Sequence, residues 1–298
     1  MSQQLVINFN KITTVEQLIS LLSLKHLSYN NIRIHVILLP FNNITLLLIL
    51  VAAVKYLVAM GKNVSIDVND TGIRYLQRIN FYRELGIDVD ECFSRHNSVG
   101  KFIEISRVTE ENSLEVVNKI LRILFTNMSI SDEISGCLNY CFWEMIDNIQ
   151  EHADSIIGGY TVVQRYPKKG YIEINIVDCG CGIYNSLIKN PKYHDFSEDD
   201  AIQYCVQKGY TNGSGMGNGL FHTTNFVKDN CGVFDLYSGN KHLCISNKET
   251  ILSDISYWQG VILSLKIMMN NPVMLTQIFG DDIPTSVVEY NECINDLW

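Results

Sequence analysis

A glycine-rich loop of this chain could bind phosphate. Residues 213–220 read GSGMGNGL, and the next ten residues, FHTTNFVKDN, are typical of a helix that begins near Leu220. Glycines at alternate positions leave backbone N–H groups free to point into one concavity, and the helix start adds the positive end of its dipole. Neither a P-loop nor a dinucleotide fingerprint is present. The loop therefore predicts contact with phosphate oxygens, and an exposed surface loop is the alternative.

A second stretch, INIVDCGCGI, could bind a flat ring. An apolar strand ends at Asp178, and Gly180 and Gly182 follow at alternate positions. Such glycines suit a backbone that turns sharply and approaches a ligand. A carboxylate at the strand end can accept a hydrogen bond from an exocyclic amine while the glycines leave room for the ring. The alternative is an ordinary strand-to-loop turn capped by the aspartate.

The third stretch is the helical pattern CFWEMIDNIQEHADS. Glu144, Asn148 and His152 recur every four residues, so their side chains lie along one stripe of the helix, apart from its apolar face. Any helix with one solvated side shows such a stripe. This pattern alone therefore leaves a functional and a solvent-facing interpretation open.

Taken in chain order, the three stretches resemble the N, G1 and G2 boxes of the GHKL ATPase superfamily. That superfamily joins gyrase B subunits, heat-shock chaperone ATPases, sensor histidine kinases, mismatch-repair ATPases and anti-sigma serine kinases. The resemblance covers residues 131–268, and the segment WQGVILSLKI is similar to the family's last, Gly-led strand. It implies a Bergerat-type α/β sandwich, with a mixed sheet covered by helices, that binds ATP and Mg²⁺.

The resemblance also implies roles for individual residues. Asn148 would be the Mg²⁺ ligand, and Glu144 stands where hydrolysing members keep the carboxylate that activates water. Asp178 would bind the adenine amine, with Gly182 beneath the base. The full set implied to contact ATP is Asn148, His152, Asp178, Gly180, Gly182, Lys208, Thr211, Gly213, Gly215, Gly217, Gly219 and Leu220.

The segment between the second and third boxes would be the ATP lid, over residues 183–211. Lys208 is its candidate cation for the phosphates, and a solvated lysine is the alternative. Cys179 and Cys181, beside the strand end, suggest redox sensitivity only weakly, because such loops accept many residue types.

The first third of the chain alternates strand-like and helix-like segments and predicts a small α/β domain. Its element order and the segment SIDVNDTGIRYLQR resemble a STAS domain, which implies that Thr71, directly before Gly72, is a phosphoacceptor. A helix N-cap is the other interpretation of Thr71. The helix over 44–60 is apolar nearly all round, so we expect it to lie between this domain's sheet and a further layer.

The fold class expected from these patterns is α/β followed by α+β. Residues 1–108 form the STAS-like α/β domain, residues 109–269 the GHKL ATP-binding domain, and residues 270–298 a tail of unknown role. The boundaries are tight, because no low-complexity or linker-like tract separates the parts.

Composition narrows the partners and the compartment. A formal charge of -9 and the lack of a basic cluster argue against nucleic acid as the main partner. Nine cysteines without zinc-finger spacing suit a reducing compartment, and the N-terminus lacks a signal peptide, so we expect a cytoplasmic protein. The only membrane candidate, 44–60, contains Lys55 and is too short, which predicts that no segment spans the membrane.

Three functions fit these patterns. The helical segment before the first box contains no His, which argues against a self-standing histidine kinase, and only 29 residues follow the ATPase region, too few for a further catalytic domain. The leading hypothesis is a slow or partner-stimulated ATPase that signals to another protein, with a homodimer also open. The alternatives are a serine/threonine kinase similar to anti-sigma kinases and a non-hydrolysing ATP-binding adaptor.

Overall fold

The computed structural model of the chain describes residues 2–22, 29–40, 42–128, 132–148, 153–212, 218–280, 283 and 287. Within these ranges the protein is mixed α/β, with one parallel and one antiparallel sheet. The strands are β1 (Ser2–Asn8), β2 (Asn31–Ile37), β3 (Asn63–Val68), β4 (Phe102–Val108), β5 (Gly159–Tyr166), β6 (Tyr171–Asp178), β7 (Val233–Ser246) and β8 (Thr250–Met268). The helices are α1 (Val15–Leu22), α2 (Ile44–Ala59), α3 (Arg74–Arg78), α4 (Phe81–Glu84), α5 (Ser113–Asn127), α6 (Asp132–Asp147), α7 (Gly182–Leu187), α8 (Glu198–Tyr204), α9 (Gly219–Asp229) and α10 (Leu275–Phe279). None of the helices in the described ranges is long and apolar enough to cross a membrane.

The three-stranded sheet is parallel, in the order β1-β2-β3. Burial alternates along β2, where Ile32, Ile34 and Val36 are buried and Asn31 and Arg33 are exposed. This period of two identifies a sheet with one face packed on the core and the other open to solvent.

Helix α2 lies between the two sheets. Twelve of its 16 residues are buried, and the eleven apolar ones belong to one core with residues of the three-stranded sheet and with Val162 and Val177 of β5 and β6. Asn43 begins the helix by accepting a hydrogen bond from the Thr45 N–H at 2.9 Å. The expectation that an all-apolar helix is covered on both sides is confirmed.

Polar contacts also join α2 to the five-stranded sheet. The buried Thr45 hydroxyl lies 2.8 Å from the Glu173 carboxylate and 2.9 Å from the Asn175 side-chain oxygen. The Tyr166 hydroxyl also hydrogen-bonds Glu173. These groups lie within an otherwise apolar interface, so they fix how α2 is placed on the sheet.

The five-stranded sheet has the order β4-β5-β6-β8-β7, and every described pairing is antiparallel. The expectation of a mixed sheet was therefore wrong. Hairpins join β5 to β6 and β7 to β8, and β4 pairs antiparallel with β5 although two helices separate them. The sheet also includes β4 from the first predicted domain, so its strands come from both sides of residue 108.

The β7–β8 hairpin is longer than the sequence pattern indicates. The segments GVFDLYS and HLCISN form one strand, β7, with an irregularity at Gly239, whose φ is +58°. Its partner β8 begins at Thr250, eight residues before the segment WQGVILSLKI. The hairpin therefore extends beyond β6, where α1 packs on β8 and α8 packs on β7.

Helices α5, α6 and α9 cover the opposite face of the five-stranded sheet. Their core includes Val117, Phe142 and Phe226 together with Ile174 and Leu265 of the sheet. Because successive residues of a strand face opposite sides, β6 presents its even-numbered residues to these helices and its odd-numbered ones to α2. This alternation brings Asp178, at the end of β6, to the side of α6 and α9.

Candidate functional site

A cleft lies between the five-stranded sheet, the end of α6, the start of α9, and α7. Its cavity volume is about 170 Å³, and residues from all three predicted boxes line it. Among them are Glu144, Asn148, Asp178, Gly182, Gly219 and Leu220, and Thr211 of the predicted lid also lines the cavity. Segments that are far apart in the sequence therefore converge on one cavity.

Asp178 lies at the inner end of this cleft and is 4% exposed. Its Oδ1 accepts a hydrogen bond from the Gly180 N–H at 2.8 Å, and the Val261 N–H also donates to this carboxylate. Burial raises the pKa of Asp178 from 3.8 to about 7, against the lowering effect of these two backbone donors. Burying a charge is costly when the partners described for it are neutral backbone groups, so a ligand that donates a hydrogen bond here would be favoured.

Three glycines permit the close packing around Asp178. A Cβ on Gly260 would lie 2.5 Å from both the carbonyl oxygen and Oδ1 of Asp178, and the φ of Gly260 is +101°. Gly182 has a φ of +76°, and its Cβ would lie 2.8 Å from Ser238 Oγ. A Cβ on Gly180 would lie 1.9 Å from the Ala153 carbonyl oxygen. Gly180 thus serves a backbone contact, while Gly182 lies on the cavity wall.

The C-terminal end of α6 supplies oxygen atoms to the same cleft. Glu144, Asp147 and Asn148 all line the cavity and are partly exposed. Their spacing of three and four residues places them on one helical face. The Tyr140 hydroxyl forms a hydrogen bond with Glu144. In the described part of the chain no group of three or more His, Cys, Asp or Glu is placed to hold a metal ion, so a cation here would need oxygens from a ligand or from water as well.

Helix α9 begins against Glu144. A Cβ on Gly219, the first residue of α9, would lie 2.5 Å from Glu144 Cβ and 2.7 Å from its Oε2. Glycine at this position therefore allows α6 and α9 to approach closely. It also leaves the positive end of the α9 dipole next to the acidic end of α6.

The segment predicted as a lid is folded into helices. It contains α7, a 3₁₀ turn at Pro191–Tyr193, and α8. Ring stacking within the segment places Tyr210 4.9 Å from Tyr204 and 5.4 Å from Tyr193, measured between ring centroids. Tyr210 and Thr211 line the cavity, whereas Lys208 is exposed and is not part of its lining.

Ion pairs join the lid segment to its surroundings. Lys241 of β7 pairs with Asp199 of α8 and with Asp254 of β8, the latter at 2.6 Å. Lys189 pairs with Asp154 at 2.5 Å. These contacts hold the outer part of the lid segment on the β7–β8 hairpin and beside the end of β6.

Four predicted site residues lie outside the described part of the chain. They are His152, Gly213, Gly215 and Gly217.

Thr71 is exposed in the loop between β3 and α3. The N-cap of α3 is Ile73, so the interpretation of Thr71 as a helix cap was wrong. Its carbonyl oxygen accepts a hydrogen bond from Gln77 Nε2 at 2.8 Å, and the Gly72 N–H is bonded instead to Asp70. The loop turns through the Asp70 side chain, which leaves Ile73 to begin the helix.

Sequence reasoning missed several residues of the cleft. Asp147 precedes Asn148 and could have been found from helical spacing, since i and i+3 share a face with i+4. Gly260 and Ser238 shape the wall from strands whose meeting point no local pattern reveals. Tyr210 lies inside the predicted lid, but no sequence pattern marks it as a lining residue. Its stacking on Tyr204, which holds it beside the cavity, is visible only in the folded structure.

No family model matches the chain, and no curated protein matches it by sequence.

Proposed function

We propose that the protein binds Mg-ATP in the cleft and hydrolyses it slowly or on stimulation by a protein partner. It would act as a nucleotide-gated switch of the GHKL type, with residues 1–108 forming a STAS-like part. One observation carries the proposal. Within the described part of the chain, the buried Asp178 carboxylate accepts hydrogen bonds from backbone groups only, and it lines the same cavity as a helix N-terminus and a row of oxygen-bearing side chains. An adenine nucleotide has the matching groups, an amine at one end and phosphates at the other.

The inner end of the cleft suits adenine. The exocyclic amine of adenine is a hydrogen-bond donor, and Asp178 has acceptor capacity directed into the cavity. The cavity walls there are apolar, with Ile176, Leu236 and Val261 among the lining residues. The amine would stabilise the charged form of Asp178, so binding of the base and ionisation of the carboxylate favour each other.

The outer end suits phosphates and a hard cation. Asn148 would hold Mg²⁺ through its side-chain oxygen, with Asp147 within the same lining. Mg²⁺ supplies charge neutralisation for the phosphates and prefers such oxygen ligands. The start of α9 at Gly219 offers N–H groups and a positive dipole end to the phosphate oxygens.

Glu144 would activate water in this proposal. In hydrolysis its carboxylate takes a proton from water, the water oxygen forms a bond to the γ-phosphorus, and the bond from that phosphorus to the β,γ-bridging oxygen breaks. ADP leaves with the electron pair of that bond. The adjacent Gly219 leaves no side chain between Glu144 and the helix start where the phosphates would lie.

The experiment that tests the proposal measures binding and phosphate release separately. Calorimetry with Mg-ATP is performed on the wild type, on Glu144→Gln and on Glu115→Gln, an exposed carboxylate of α5 that pairs with Lys119. We expect all three proteins to bind, and we expect only Glu144→Gln to lose phosphate release. Failure of the wild type to bind Mg-ATP would refute the proposal.

A protein kinase is the second candidate, and the exposure of Thr71 favours it over a role for this residue in the fold. Incubation with γ-labelled ATP would transfer label to the wild type and leave Thr71→Val unlabelled if Thr71 is the acceptor. Label that persists on Thr71→Val, or that never appears, removes Thr71 from consideration. Binding without release or transfer would instead indicate an ATP-binding adaptor.

A further inference from the structure

Tyr140 lies one helical turn before Glu144 on α6, and its hydroxyl forms a hydrogen bond with the Glu144 carboxylate. Burial, followed by the nearby negative charge of Glu144, raises the pKa of Tyr140 above its usual value. The hydroxyl therefore keeps its proton and is the donor in this bond. A donor on the carboxylate restricts the rotation of Glu144, whose side chain lines the cleft.

The first part of the predicted tail packs behind this pair. Phe279, at the end of α10, is 4% exposed, and its ring centroid lies 6.1 Å from that of Tyr140 and 4.4 Å from that of His222. The Ile278 carbonyl accepts a hydrogen bond from Asn225 Nδ2 at 3.0 Å and lies 3.3 Å from His222 Nδ1. Helix α9 thereby holds α10 in place, and α10 places an aromatic ring edge-on against Tyr140.

The tail is also fastened ahead of α10. The Met274 N–H donates to Asp229 Oδ2 at 2.8 Å, and the Asn230 side chain donates to the Asn271 carbonyl at 3.0 Å. Both contacts are made at the C-terminal end of α9. The chain thus runs back along α9 toward α6, where Tyr140 and Glu144 lie.

We propose that Tyr140 is a positioning residue for Glu144, and that Phe279 of the tail holds the Tyr140 ring in the orientation that this requires. The inference rests on the proposed hydrolytic function, because Glu144 has a base to position only if the protein hydrolyses ATP. It assigns a role in the site to residues 275–279, outside the segment that resembles an ATPase.

The test compares Tyr140→Phe with Tyr166→Phe. The control removes a tyrosine hydroxyl that is likewise bonded to a carboxylate, that of Glu173, but on the α2 side of the sheet. Single-turnover phosphate release and ATP affinity are measured across pH for both variants and for Phe279→Ala. We expect Tyr140→Phe to lower the rate about tenfold, the value of one hydrogen bond, with unchanged ATP affinity. Its acid limb should move to higher pH, because the carboxylate loses a donor that favours its charged form.

The control variant Tyr166→Phe and the tail variant Phe279→Ala have different expected results. Tyr166→Phe should keep the wild-type rate and pH profile. Phe279→Ala should lower the rate in the same direction as Tyr140→Phe and add nothing further when the two are combined. A wild-type rate and profile in Tyr140→Phe would overturn the role of Tyr140, and full additivity would overturn the role of Phe279.

If the wild type releases no phosphate, the proposed hydrolysis is refuted, and a separate measurement then tests the contact between Tyr140 and Glu144 by itself. Thermal unfolding midpoints of Tyr140→Phe, Glu144→Gln and the double variant form a double-mutant cycle. Non-additive shifts that become additive in the Phe279→Ala background support the positioning contact and its dependence on the tail. Additive shifts in the wild-type background show that the two side chains do not act together, and they overturn it.

Discussion

Replacing Asp178 with Asn should make the protein more stable at alkaline pH while weakening its binding of adenine nucleotides. The carboxylate is 4% exposed, and burial raises its pKa from 3.8 to about 7. For an acid whose pKa is raised by folding, protonation favours the folded state. That stabilising contribution is complete below pH 3.8 and is lost as the pH rises through about 7. The ionised, buried carboxylate is therefore a destabilising feature under neutral to alkaline conditions.

The size of the effect follows from the two pKa values. Each unit of pKa difference corresponds to about 1.4 kcal/mol, so the full difference reaches about 4 kcal/mol once the pH is well above 7. At pH 5 the destabilisation of the folded state by this carboxylate is only about 1.5 kcal/mol. The free energy of unfolding of Asp178→Asn should hence rise by about 2.5 kcal/mol relative to the wild type between pH 5 and pH 8. This difference does not depend on how well the amide packs, because the packing effect is the same at both pH values.

The assay is urea unfolding of the wild type, Asp178→Asn and Asp90→Asn at pH 5, 6, 7 and 8. Asp90 is exposed, so its variant should follow the wild type at every pH. Calorimetry on the same proteins should show weaker ATP binding for Asp178→Asn alone, since an amide cannot offer the adenine amine a charged acceptor. Parallel pH dependences for the wild type and Asp178→Asn would refute the reasoning that this carboxylate is ionised at the expense of stability.

Three further substitutions test the packing that forms the site. Gly260→Ala should lower the free energy of unfolding by about 3 kcal/mol or more, because its Cβ would lie 2.5 Å from backbone and carboxylate oxygens at a φ of +101°. The control Gly61→Ala has a φ of +75° and open space around the new Cβ, so its free energy of unfolding should fall by about 1 kcal/mol. Chemical denaturation measures both, and equal losses would contradict the steric account. Thr45→Val should lower the free energy of unfolding by about 2 kcal/mol, since the buried Glu173 carboxylate loses the hydroxyl donor 2.8 Å away. An unchanged denaturation midpoint would argue against that hydrogen bond. Lys241→Met should speed amide exchange in α8 without changing the midpoint of global unfolding, and exchange at the wild-type rate would show that its ion pairs do not hold the lid segment.

Much of the cleft could be predicted because its parts are local. A strand that ends in Asp178 and continues through Gly182 carries its pattern within ten residues, and the helix that begins at Gly219 follows at once from its loop. The all-apolar pattern of α2 likewise indicates burial on every side, whatever the partner. Each of these inferences depends on a period or on a residue type at a fixed offset.

Other features depend on pairings between distant segments. The contact of Gly219 with Glu144 arises only when α6 meets α9, so the glycine that looks like part of a phosphate loop also serves helix packing. Strand β4 follows the first α/β segments in the chain but pairs with β5, because sheet membership is decided by the partner strand and not by sequence order. The role of the tail is of the same kind, since no periodicity within residues 270–298 announces that Phe279 lies against Tyr140.

The position of α2 also limits how the chain can be divided or altered. A protein cut after residue 108 would leave β4 with the first fragment and would remove α2 from the back of the five-stranded sheet in the second. Each fragment would then present a broad apolar surface to water, so we expect both to aggregate when expressed alone. A change in side-chain volume on α2 must be accommodated by two sheets at once. The two parts of the molecule are therefore expected to change together in evolution, through a helix that lies outside the lining of the cleft.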